Sequence, residues 1–153
     1  MTLTRRMFIA ATFAAPSVAW AASGADAKTA PYFNTDGIAI NGTDPVGYFT
    51  QGRPVAGNAA YSLGWQGAYW HFESLESRAA FELNPHAYAP KYGGYCALAA
   101  ASGDVAPSAP HAWKIVDGKL YLIYSPFYRR QWEQDLVANI AAADENWPTA
   151  LGT

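Results

Sequence analysis

Apolar and aromatic residues recur along this chain with periods of two and of about four, and each period predicts an element. In Ala68-Tyr69-Trp70-His71-Phe72 the alternation sets Tyr69, His71 and Glu73 on one face and Trp70 and Phe72 on the other, as in a half-buried strand. Ala60-Tyr61-Ser62-Leu63 has the same character, and the turn from Gly64 to Gly67 predicts a β-hairpin between the two. A second hairpin is predicted where Ala112–Val116 and Lys119–Tyr124 flank Asp117-Gly118, residues suited to the positive φ angles of a two-residue turn. Val46-Gly47-Tyr48-Phe49, after the turn Thr43-Asp44-Pro45, predicts a further short strand.

Helix signals follow each hairpin. Ser74 is an N-cap for a helix to about Leu83, with Leu75, Ala79 and Phe81 on its buried side and Asn84-Pro85 as its stop. Residues from Pro85 to Gly94 predict a tight irregular loop, and Tyr95–Ala101 a short alanine-rich helix ended by Gly103. Ser125-Pro126 opens a last helix to about Asp144, on which Trp132, Leu136 and Ile140 recur every four residues and Val137 widens the stripe. Two hairpins and two or three helices in one core predict a small, single α+β domain.

The first residues have a different pattern. Arg5 and Arg6 precede a charge-free apolar run from Met7 to Trp20, and Ala19-Trp20-Ala21 places small residues where a signal peptidase reads, so cleavage is expected after Ala21. Thr4-Arg5-Arg6-Met7-Phe8-Ile9 resembles the twin-arginine consensus, which implies recognition by the Tat export machinery, export in the folded state and a periplasmic address. The apolar run is too short for a permanent span and Pro16 interrupts it, so no stable membrane insertion is expected. The expected organisation is a signal peptide at 1–21, a leader at 22–37 and the domain at 38–148. Without residues 1–21, 8 Lys and Arg face 12 Asp and Glu, a balance that argues against nucleic acid as a partner.

Candidate chemistry centres on the sole cysteine, Cys96. One cysteine excludes an intrachain disulfide and leaves a buried inert thiol, an intermolecular bridge, or a thiolate ligand or nucleophile. The helix predicted over Tyr95–Ala101 places Cys96 near its N-terminus, where an accessible thiol is acidified. Tyr88, Tyr92 and Tyr95 around Gly93-Gly94, with Tyr69, are candidates to line a pocket, or else core aromatics. No Ser-His-Asp arrangement, phosphate loop or carboxylate pair is visible, so no catalytic residue is assigned.

The run Tyr69-Trp70-His71-Phe72-Glu73-Ser74, with Arg78, Phe81, Pro85 and Tyr88 after it, resembles the YHS domain. Asp44-Pro45-Val46, Tyr92-Gly93-Gly94-Tyr95-Cys96-Ala97, Gly118-Lys119-Leu120-Tyr121-Leu122 and Asn146-Trp147 extend the likeness to an exported bacterial form of that family. The resemblance implies a small metal-binding or metal-handling module rather than an enzyme. It departs at Glu73, where metal-binding versions commonly carry a cysteine, so any site is mixed. Thiolate and imidazole donors suit copper or zinc, which nominates Cys96, His71, His86 and Glu73 as the metal shell. Two other functions stay open beside it: a module that binds a small molecule or partner protein with Cys96 packed, and a thiol-based redox enzyme or sensor.

Overall fold

A four-stranded sheet and a separate two-stranded hairpin carry the fold, with helices packed on both, in a computed structural model that describes residues 28–152. Strands β1 (Asn34–Thr35) and β2 (Ile38–Ala39) come first, followed by a one-turn helix α1 (Gly47–Thr50). Then come β3 (Asn58–Trp65), β4 (Ala68–Phe72), α2 (Leu75–Leu83), and two short helices, α3 (Pro85–Tyr88) and α4 (Ala97–Ala101). The second hairpin is β5 (Ala109–Val116) and β6 (Lys119–Ile123), and α5 (Pro126–Gln134) and α6 (Leu136–Asn146) close the chain. The result is the α+β class that the hydrophobic pattern predicts. Among the described residues no helix is long and apolar enough to cross a membrane. The twin-arginine run and the cleavage point lie outside the described residues.

Both glycine turns close hairpins in the expected way. Gln66-Gly67 and Asp117-Gly118 have positive φ at both positions (51° and 80°; 50° and 71°), the backbone that matches the twist of paired strands. The sheet is ordered β1-β2-β4-β3, with β2 parallel to β4 and the other pairs antiparallel. Residues 30–37, expected within the leader, pack into the domain. The Phe33 amide donates to the Gly93 carbonyl at 2.8 Å, and the Tyr95 hydroxyl donates to the Ala30 carbonyl at 2.9 Å.

Four local expectations are corrected. Pro85–Tyr88, expected within an irregular loop, forms the one-turn helix α3 opened by its proline. The segment expected as a strand at Val46–Phe49 is helical instead, because Asp44 Oδ1 accepts the Val46 amide at 2.9 Å and turns the chain into α1. On α2, Leu75 is 64% exposed and Ala79 is exposed too; Ser77 and Phe81 form the buried side. The final helix breaks at Asp135 (φ −135°, ψ 59°), which rotates Val137 outward to 81% exposure and leaves Leu136 and Ile140 against the core. Caps were legible: Ser74 Oγ accepts from the Ser77 amide, and Ser125 Oγ accepts from the Tyr128 amide.

Two hydrophobic clusters meet at β6. Leu120 and Leu122 join Trp70, Phe72, Phe81 and Tyr48 under the larger sheet. Tyr121 and Ile123, on the opposite face of the same strand, join Trp132, Ala97, Ala100 and Cys96 under the helices. β6 is thus buried on both faces, and its two-residue period supplies both cores.

Asp44 is completely buried with no cation among its hydrogen-bond partners, and three donors satisfy it. Oδ1 takes the Val46 amide, while Oδ2 takes the Glu73 amide at 3.0 Å and the Ser77 hydroxyl at 2.5 Å. These bonds join α1, the end of β4 and the first turn of α2. Asp44→Ala is expected to cost about 3 kcal/mol or more, since it strands buried donors, and Ser77→Ala about 1 kcal/mol. Urea denaturation midpoints check both values, and an unchanged midpoint for Asp44→Ala would refute this role.

Burial pushes five phenols upward from 10.0: Tyr48 and Tyr92 strongly, and Tyr32, Tyr95 and Tyr121 in the same direction. The Asp144 carboxylate beside Tyr92 adds to burial there. A raised folded value means the fold holds the proton more tightly than the unfolded chain. The stabilisation is therefore present below pH 10 and lost as pH rises through the raised values. Carbon NMR of ring-labelled tyrosine should show each of these five phenols ionising above pH 10 in the folded protein or on its unfolding; a folded-state midpoint at or below 10 for any of them would contradict it.

Candidate functional site

Cys96 sits where three segments converge. It is the residue before α4, its amide donates to the Ala106 carbonyl at 2.9 Å, and its carbonyl accepts the Ala100 amide at 3.0 Å. Its Sγ accepts the Tyr124 amide at 3.3 Å, which ties α4 to the residue that ends the β5–β6 hairpin. Only 3% of Cys96 is exposed. The approach to it depends on Gly93 and Gly94, both at positive φ. A Cβ on Gly93 would stand 2.1 Å from the Pro31 carbonyl oxygen, and one on Gly94 would stand 2.7 Å from Ile40 Cγ2. Gly93 and Gly94 therefore serve close packing of the chain on itself.

Above Cys96 lies an open hollow of about 420 Å³, a volume within the range of small-molecule sites. Cys96 is at its base, Leu98, Ala99 and Ala106 supply apolar wall, and Tyr124 and Tyr128 supply rings. Ser102 and Asp104 are its other polar residues. Tyr124 is 53% exposed and Tyr128 41%, and their rings meet edge to face with centroids 5.8 Å apart. Phe127, 54% exposed, packs against Tyr128 at 5.3 Å and extends the aromatic group. Solvent-accessible aromatic side chains grouped in this way mark a binding surface more often than a structural one.

The other expected ligands stand elsewhere. His71 lines a separate hollow of about 450 Å³ with Thr35, Asp36 and Asn41, and the chain passes so close at Gly57 that a Cβ there would stand 2.5 Å from the His71 carbonyl carbon. Glu73 borders a third, polar cleft near Ser74, Glu76 and Ser77, and its carboxylate accepts from the Gln51 side chain. His86 is exposed on α3 and packs edge-on against Trp65 at 5.3 Å. Among the described residues, no three or more His, Cys, Asp or Glu side chains form a group that could hold a metal ion. Cys96, His71, His86 and Glu73 thus do not make one shell, because opposite faces of the double core carry them.

The tyrosines divide similarly. Tyr92 is buried, with its hydroxyl on Asp144 Oδ1 at 3.0 Å, and Tyr95 is buried with its hydroxyl on the Ala30 carbonyl. Tyr88 packs edge-on against Phe49 at 5.5 Å, and Tyr69, 62% exposed, lines a shallow hollow at the β3–β4 turn. None of the four reaches the Cys96 hollow, whose rings come from Tyr124 and Tyr128. Sequence reasoning missed both. The only signal for them is their place around the Ser125-Pro126 cap, which fixes where a strand ends and a helix starts but not what lies beside it.

No family model, curated protein or solved structure matches this chain.

A thiol this enclosed, with its sulfur facing an amide, is expected to react with a bulky maleimide at least about tenfold more slowly in the folded protein than in urea. Mass spectrometry of timed samples reads both rates. Equal rates would mean that the base of the hollow is open.

Proposed function

We propose that this protein is an exported, non-enzymatic binding module of the YHS type, and that a small molecule with an apolar body sits in the hollow above Cys96. One observation carries the reading: accessible aromatic rings and apolar side chains from four segments converge on a single concavity. Burial of apolar surface there supplies affinity, at about 25 cal/mol per Å² removed from water. Cys96 serves as packed floor, a role in keeping with its 3% exposure and its bond from Tyr124. The twin-arginine-like segment supports delivery to the periplasm after folding, which suits a domain with a single cysteine and no need of an oxidising compartment to form.

The metal-handling alternative would need Cys96 to bind copper or zinc without the histidines, with Asp104 as the other potential donor in the hollow. Both readings meet one test. Titration with the neutral fluorescent probe N-phenyl-1-naphthylamine should give saturable binding that weakens about fivefold or more in Tyr124→Ala and Tyr128→Ala, which remove exposed rings and leave the fold intact by circular dichroism. Probe binding unaffected by either change would overturn the assignment. Stoichiometric copper or zinc retained by the native protein and lost in Cys96→Ser would overturn it in favour of metal handling.

A further inference from the structure

The chemistry of the hollow names the class of ligand, an inference that rests on the reading above. Its lining residues include one charged side chain, the exposed carboxylate of Asp104, and no lysine, arginine or histidine. Every other polar side chain at the site is a hydroxyl or thiol: Ser102, Tyr124, Tyr128 and Cys96. Anionic ligands find no cation to pair with, and the carboxylate repels them. The rings add a second preference of the same sign. Tyr124 and Tyr128 stand at an interplanar angle of 74°, so they form a corner rather than a stack. Phe127 and Tyr128 make another near-perpendicular pair at 80°. An aromatic face carries negative potential, and rings set at right angles can cover two sides of a compact cation, as aromatic cages do for quaternary ammonium groups. The amide of Asp104 donates to the Ala99 carbonyl at 3.0 Å, which fixes the backbone that carries the carboxylate to the same α4 residue that walls the hollow.

We propose that the hollow above Cys96 binds a free organic ammonium ion, of the quaternary or tertiary kind, with its methyl groups against Tyr124 and Tyr128 and its charge balanced by Asp104. Carboxylate-bearing relatives such as betaines bind more weakly, because Asp104 opposes the second charge.

Isothermal titration of the full mature chain tests this with choline, with its neutral isostere 3,3-dimethyl-1-butanol, and with phosphatidylcholine vesicles. Choline is expected to bind at least about fivefold more tightly than the isostere. Asp104→Asn should weaken choline about threefold and leave the isostere unchanged, as befits an exposed charge. Tyr124→Leu should weaken choline about tenfold, while Tyr124→Phe, which keeps the ring, stays within about twofold of the native protein. Equal affinity for choline and the isostere, or no choline binding while the neutral naphthylamine probe still binds, would overturn the ammonium assignment and leave the hollow as an apolar site. Binding to vesicles without binding to free choline would overturn the assignment to a free ligand. Loss of probe and choline binding sites together, with the native fold intact, would overturn the underlying reading as well.

Discussion

The alternation of β6 is the constraint on which the rest of the structure depends. Its residues enter two cores in turn, Leu120 and Leu122 on one side and Tyr121 and Ile123 on the other. A slip of one residue in its pairing with β5 would exchange the two sets and misplace both cores at once. The Asp117-Gly118 turn holds that register through its two positive φ angles. The strand also delivers the candidate site, since the residue after Ile123 is Tyr124, whose amide holds Cys96 and whose ring borders the hollow. Packing and binding surface are therefore successive residues of one segment.

Asp44 performs the matching task for the larger sheet. Its buried carboxylate gathers the neighbouring Val46 amide, the distant Glu73 amide and the Ser77 hydroxyl, so that α1, β4 and α2 keep a fixed relation. A buried polar group is tolerated only where partners replace the water it has lost, and this one has three donors. Beside it the larger sheet's core is rich in aromatic rings, with Trp65, Trp70, Phe72 and Phe81 in edge and tilted contacts at 5.1 to 5.7 Å. The high content of aromatic residues is thus largely spent on structure, and only a minority of the rings, Tyr124, Phe127 and Tyr128 among them, remain substantially exposed to meet a ligand.

The division of the expected metal shell has the same origin. His71 and Glu73 belong to the outward face of β4, opposite Trp70 and Phe72, while Cys96 packs with Ala97 and Trp132 beyond the second hairpin. A strand buried on both faces stands between these groups. Residues that look like partners by type are held apart by the layer that makes the fold stable.

Local chemistry in the sequence determined both hairpin turns, the Ser74 and Ser125 caps, the inward Trp70 and Phe72, and the α+β class, because each depends on neighbours within a few residues. It also marked Cys96 as singular and placed it near a helix N-terminus, and the structure starts that helix one residue after it. Tertiary structure alone decided that Val46–Phe49 coils around a buried Asp44, that the last helix breaks at Asp135, and that Tyr124 and Tyr128 rather than Tyr92 and Tyr95 face the hollow. The meeting of Tyr124 with Cys96 and of Asp44 with Ser77 joins residues tens of positions apart, and no local period or propensity encodes which distant groups will meet.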